Sequence, residues 1–229
     1  MNILINQKLH ALAESDYKAF NEKIIPTGYE ILGIRMPALK KLAKEIATSP
    51  EVETYLKNAE YTTYEHVLLY GLVLGQLKKP SLEMIFRYLD PLILRFDNWA
   101  HVDTIVSGLK IFGKHPDEVL THFQPLKNHK GEFTKRTFVI LLMDFFMDET
   151  HIDVVLKHLP EVPQGQYYVD MGIAWALSVG LIKFYDKTIP LLEQPVFSRF
   201  VHNKALQKAR ESYRITPEVK ELLNKMKIK

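Results

Sequence analysis

Apolar residues recur at intervals of three and four along most of the chain. Leu39, Leu42 and Ile46 form one such stripe. Val67, Tyr70, Leu74 and Leu77 form a second, and Val119, Phe123 and Leu126 a third. This spacing marks α-helices with one buried face. Proline punctuates the runs. Pro37, Pro50, Pro80, Pro116 and Pro217 each stand at the head of an apolar-periodic segment, where the first helical turn has no use for the missing N–H. Glycine is scarce, 10 residues in 229, and no Asn-Gly or Asp-Gly pair joins alternating segments into a hairpin. The pattern predicts an all-α chain with short connections. Its helices are expected over 3–13, 16–24, 38–47, 50–58, 62–78, 80–94, 98–112, 116–127, 133–147, 151–158, 166–180, 184–193, 197–210 and 217–227.

So many short helices do not fit one simple bundle. They suit stacked helix pairs, an α-solenoid or superhelix of HEAT-like repeats of about 40 residues. A weak internal repeat points the same way. Trp99 opens NWAHVDTIVSGL; Arg136, in FTKRTFVILLM, follows 37 residues later; Trp175, in YYVDMGIAWALSVG, follows 39 residues after that. Equivalent helices of a solenoid line one concave face. No low-complexity stretch or long linker interrupts the chain, so a single domain over 1–229 is expected.

Composition narrows the classes. Apolar residues make up 47% and charged residues 25%, a globular balance that excludes disorder of the whole chain. No apolar run reaches the roughly 20 residues needed to span a bilayer. The opening MNILINQKLHALAESDYK reads as no signal peptide. Cysteine is absent, which excludes disulfides, thiolate zinc sites and cysteine nucleophiles and fits a cytoplasmic protein. Charge is uneven. From Arg199 to Lys229 there are nine basic residues against three acidic ones, +6, so the formal +3 of the chain leaves −3 for residues 1–198. Lys127, Lys130, Lys135 and Arg136 form a second basic cluster with only Glu132 nearby. Such patches suit a polyanion, although a solvated helix face would look the same.

The densest chemistry lies in Asn98-Trp99-Ala100-His101-Val102-Asp103. On a helix Trp99 and Asp103 are i and i+4 and share a face. An indole beside a carboxylate can hold a cation or a sugar while the carboxylate stabilises developing positive charge or orients a water. Each residue also has an ordinary role: tryptophan in a core, aspartate favouring a helix dipole, and Trp175 in a helix apolar on most sides. His101 and Asp103 diverge on a helix and His151 and His158 lack a further ligand, so no metal site is expected. No phosphate-binding glycine loop and no Ser-His-Asp arrangement is legible.

From about Tyr17 to Tyr213 the chain resembles the AlkD-type alkylpurine DNA glycosylases of the DNA alkylation repair family. The resemblance rests on GYEILGIRMPALKKLAKEI (28–46), NWAHVDTIVSG (98–108), IFGKHPDE (111–118), FTKRTFVILLM (133–143) and YYVDMGIAWALSV (167–179), taken in that order. It implies a concave HEAT-like solenoid. It implies a catalytic Asp103 in the W-x-x-x-D pattern after Trp99, a cleft aromatic at Trp175, and a DNA-backbone contact at Arg136, three residues after Phe133. Lys135 and Lys130 join that contact by proximity. The implied activity is hydrolysis of the N-glycosidic bond of cationic N3- or N7-alkylated purines in duplex DNA, without metal or other cofactor and without membrane attachment, by a chain expected to be monomeric. Where the family pattern carries an arginine three residues after the cleft tryptophan, this chain has Ser178, and Asp170 and Met171 stand before it. A lost cation and a gained carboxylate predict weaker DNA binding. The alternative is a non-catalytic HEAT-like scaffold that binds DNA structure, RNA or a protein partner.

Overall fold

The computed structural model describes residues 2–229, whose regular structure is helical, with one isolated backbone bridge between Glu30 and Thr63 and no strand among them. The helices are α1 (Asn2–Ala11), α2 (Ser15–Ile24), α3 (Met36–Ala47), α4 (Val52–Asn58), α5 (Tyr64–Gln76), α6 (Leu82–Ile93) and α7 (Trp99–Gly108). There follow α8 (Pro116–Phe123), α9 (Glu132–Phe145), α10 (Ile152–His158), α11 (Tyr167–Lys183), α12 (Tyr185–Leu192), α13 (Arg199–Glu211) and α14 (Pro217–Lys225). Each expected helix is present within a few residues, apart from the 98–112 segment. There α7 stops at Gly108 and a short 3-10 turn, Lys110–Lys114, takes over. Likewise α8 gives way to a 3-10 turn at Gln124–Asn128, because Pro125 cannot continue the α-helical hydrogen bonding.

Short polar side chains start many of these helices. Thr63, Ser81, Asn98, Ser198 and Thr216 each accept a backbone N–H of the first turn. Pro37, Pro116 and Pro217 occupy that first turn. Pro50 and Pro80 instead precede the caps Glu51 and Ser81, so they fix the chain's entry rather than its first turn.

The chain divides into two compact units, one ending at Ile111 and one beginning at Phe112. In the first, α5 lies between α3 and α7, with α4 against α3 and α6 against α5. In the second, α11 lies between α9 and α13, α12 packs on α11 and on α10, and α14 packs on α13. Alternate helices therefore stack side by side while the intervening ones form a second layer, the arrangement of a helical-repeat solenoid. The central helices are the most buried: every residue of α5 from Tyr64 to Leu74, and of α9 from Thr134 to Met143. The repeat is shorter than the spacing of Trp99, Arg136 and Trp175 suggests. The helices α5, α7, α9, α11 and α13 start at 64, 99, 132, 167 and 199, so successive starts lie 35, 33, 35 and 32 residues apart. The three landmark residues drift because they occupy the first, fifth and ninth positions of their helices.

Close approach fixes α7 on α5. A Cβ at Gly71 would lie 2.4 Å from Ile105, and one at Gly75 would lie 2.9 Å from the Gly108 carbonyl, so the two glycines make room for the facing helix. At the other end of α5 a buried carboxylate organises the preceding loop. Glu65 accepts the backbone N–H groups of Leu32 (2.9 Å), Gly33 (2.8 Å) and Ile34 (3.3 Å). Replacing Glu65 by alanine strands three buried donors. The expected cost is about 3–5 kcal/mol, read as a lower urea midpoint; a change below about 1 kcal/mol would show that water replaces the carboxylate.

Candidate active site

Unit one presents Trp99 and Asp103. Both are half-buried on α7, and Ser107 continues their line at the next turn, while Ala100, His101, Val102, Ile105 and Val106 face the core. The expected i, i+4 pairing on one accessible side of the helix is therefore present. The Trp99 indole N–H donates to the Ile24 carbonyl at 3.3 Å, which ties the ring to the end of α2. The hydroxyl of Ser107 donates to the Asp103 carbonyl at 2.6 Å.

A polar network beneath the start of α7 holds this pair in place. Asp97 accepts from the Thr27 hydroxyl (2.7 and 2.9 Å), the Gly28 amide (2.7 Å) and the Asn98 side chain (2.8 Å). Asn98 in turn accepts from the His101 amide. The fully buried His101 ring reaches the Tyr64 carbonyl through Nε2 at 3.1 Å and stacks on the Tyr64 ring at 4.9 Å. Its Nδ1 lies 2.9 Å from the Asn98 amide and 3.4 Å from Asp97. Burial opposes ionisation of Asp97, but His101, Thr27, the Gly28 amide and Asn98 outweigh it and hold the carboxyl well below its ordinary range, at about 2. Sequence reading had no signal for this device. Asp97 meets Thr27 across 70 residues, and His101 entered only as a rejected metal ligand. Among the described residues no group of three or more metal-ligating side chains occurs.

Unit two presents Trp175, Phe133 and the basic cluster. On α11 Trp175 is 38% exposed although its neighbours Ala174, Ala176 and Leu177 are fully buried. The partly open residues Tyr168, Met171, Trp175 and Val179 follow one face of the helix. The half-buried Phe133 packs its ring on Tyr168 at 5.3 Å. Lys135 and Arg136 lie inward, 7% and 5% exposed. Lys135 donates to the Gln166 side chain at 2.7 Å, and Arg136 donates to the Tyr168 carbonyl at 2.5 Å, so both brace the start of α11. Lys127 pairs with Glu161 at 2.6 Å. Lys130 alone of the four is exposed. The positive cluster seen in the sequence thus meets acidic and carbonyl partners from the next repeat instead of forming an open patch.

The two departures from the family pattern have structural explanations. Asp170 is buried, and its carboxylate accepts the Gly165 amide at 3.0 and 3.2 Å. Burial raises its pKa, and the Gly165 amide and the charge of Lys135 partly offset this. It serves as a loop clamp, not as an outward charge. Ser178 is buried and donates to the Trp175 carbonyl at 2.7 Å.

The depressed carboxyl of Asp97 makes a signed prediction. A lowered folded-state pKa stabilises the fold above the ordinary carboxylate value near 3.8, and that contribution disappears as pH falls through about 2. With allowance for partial exposure, Asp97→Asn should lose roughly 1–2 kcal/mol near neutrality. Urea unfolding at a series of pH values should show the gap to wild type closing below about pH 4; a gap independent of pH would assign the effect to shape rather than charge.

No curated protein matches the chain. The family described as DNA alkylation repair enzyme matches residues 5–179, which is 175 of the 229 residues and includes Trp99, Asp103, Arg136 and Trp175. The match extends from α1 to the open face of α11, and on that ground the chain belongs to the DNA alkylation repair enzyme family.

Proposed function

We propose that the chain is a monofunctional DNA glycosylase that removes cationic N3- or N7-alkylated purines from duplex DNA. The observation that carries the reading is the accessible line of Trp99 and Asp103 on a helix whose apolar residues and His101 face the core, within the matched region of a DNA repair enzyme family. Alkylation at N3 or N7 gives the purine a full positive charge. When the bond from C1′ to the base nitrogen breaks, its electron pair neutralises the base, which leaves, and the sugar becomes an oxocarbenium-like cation. The Asp103 carboxylate lowers the energy of that cation and accepts a proton from the water that adds to C1′. Trp99 covers the sugar with an apolar, electron-rich face. On the second unit, the reading gives Trp175 a contact with the DNA and Lys130 a backbone phosphate. The charges of Lys135 and Arg136 act from beneath that surface, where screening by salt is weaker. Because the leaving group is already activated, no deep base pocket is required, and substrates are confined to intrinsically labile lesions.

One observation favours the non-catalytic scaffold as a second reading. Lys135 and Arg136 are buried, and the charge of Lys135 acts on the buried Asp170, which leaves little open positive charge on these two residues.

Release of 7-methylguanine from a methylated duplex separates the two. Asp103→Asn should lower the single-turnover rate by about 10²–10³ while duplex affinity stays within about twofold. Equal release by wild type and variant would remove Asp103 from the mechanism; no release by either would leave only the scaffold. Lys130→Ala should reduce the slope of log affinity against log salt by about 0.9; an unchanged slope would remove Lys130 from the phosphate contact.

A further inference from the structure

The family match ends at residue 179, and α13 and α14 lie beyond it. They carry an open groove of about 630 Å³, lined by Arg199, Phe200, Asn203, Lys204, Gln207 and Lys227, a volume within the range of small-ligand sites. Three of these six are cations, and none is acidic. The segment after α14 is strapped against α13. The Met226 carbonyl accepts from His202 Nε2 at 2.9 Å, and Asn203 makes two hydrogen bonds with the backbone of Ile228, at 2.8 and 2.9 Å. Lys227 stands between these clips, so its backbone is fixed at the groove instead of trailing in solvent. The nearest carboxylate along the helix, Glu211, is engaged by Gln207 at 2.9 Å, and Gln207 also accepts from Lys204 at 3.0 Å.

Phe200 gives the groove aromatic surface, and Tyr167 adjoins it. Phe200 is 39% exposed and Tyr167 58%. Their ring centroids lie 5.9 Å apart, and the Lys204 ammonium lies 6.0 Å from the Phe200 centroid. Large exposed apolar side chains beside clustered cations are the two components of a single-strand binding platform: charge tracks the backbone, and flat rings receive unpaired bases. A duplex offers the groove phosphates but keeps its base faces stacked, so it would leave Phe200 and Tyr167 without a role. We propose that the groove formed by α13 and the segment after α14 binds single-stranded DNA, with a base stacked against Phe200 and Tyr167 and the flanking phosphates held by Arg199, Lys204 and Lys227.

This surface is independent of Asp103 and stands or falls separately from the glycosylase reading. Fluorescence anisotropy of the whole chain with a labelled thymidine oligomer of about twelve nucleotides, and with a blunt duplex of the same length, tests it. Wild type should bind the single strand. Phe200→Ala should weaken single-strand binding at least fivefold and leave duplex binding and any base release unchanged. Phe20→Ala, at an exposed phenylalanine of α2, should change nothing. The double variant Lys204→Ala/Lys227→Ala should flatten the single-strand salt slope by about 1.4. Single-strand affinity unaltered by Phe200→Ala overturns the proposal, even if the lysine variant binds more weakly, since that result describes a plain phosphate contact. Duplex affinity that falls with Phe200→Ala in step with single-strand affinity overturns it as well, because the ring would then not distinguish unpaired bases. Circular dichroism melts of each variant guard against loss of folding.

Discussion

Within each unit the architecture depends on one constraint: a repeat buries its apolar faces against the repeats beside it. The hydrogen bonds record this directly. In the second unit, Arg136 to Tyr168, Glu132 to Tyr168, Lys187 to Asp153 and Gln164 to Ser198 span 32, 36, 34 and 34 residues, about one repeat each time. Such a chain is stabilised by nearest-neighbour interfaces rather than by one shared core. A central helix such as α11 is consequently buried on two sides by α9 and α13, and apart from its end residues Tyr167, Ile182 and Lys183 only the line from Tyr168 to Val179 stays open. An exposed tryptophan on that line is costly in water. Its placement there, amid small buried neighbours, is what a recognition surface requires and what a core does not.

The rule of one repeat is broken in the first unit, and it is broken at the candidate site. Thr27 and Gly28 reach Asp97 across 70 and 69 residues, and the Trp99 indole reaches Ile24 across 75. The segment between α2 and α3 thus bonds to the start of α7, about two repeats away. The consequence is mechanical. The first turn of α7 is held by its cap, by a carboxylate with several donors and by the indole bond, so Trp99 and Asp103 are presented from a helix end with little freedom to fray. A group that must meet a developing charge gains most when its position is set before the reaction.

The helices were legible because their information is local. Three- and four-residue apolar spacing, caps and prolines lie within a few positions of the structure they specify, so the fourteen helices could be drawn with small errors at their ends. The pairing of Trp99 with Asp103 was legible for the same reason, since i, i+4 geometry follows from the helix alone. Charge was read less well. Lys135 and Arg136 look like surface groups in FTKRTFVILLM, and nothing near them announces Gln166 and the Tyr168 carbonyl, about one repeat away. Glu65 looks like an ordinary first-turn acid until the three amides of Leu32–Ile34 are brought to it. Polar burial is decided by partners distant in sequence, and periodicity does not encode partners.

The same difference bears on the departures from the family pattern. A carboxylate at Asp170 would oppose phosphate only if it faced one. Here it holds the Gly165 amide, and the hydroxyl of Ser178 folds back on the Trp175 carbonyl. Both side chains stabilise the helix that carries the exposed indole rather than altering the surface around it. Of the sequence's two basic clusters, open positive charge remains at Lys130 and in the +6 segment from Arg199, where Arg199, Lys204 and Lys227 line the groove beside Phe200. Charge attraction acts over about a Debye length, ~8–10 Å in ordinary salt, whereas stacking and oxocarbenium stabilisation require contact. The side chains argued to make contact, Trp99, Asp103 and Trp175, are therefore held by buried helix faces, while cations outside the matched region can retain a strand without sharing their geometry.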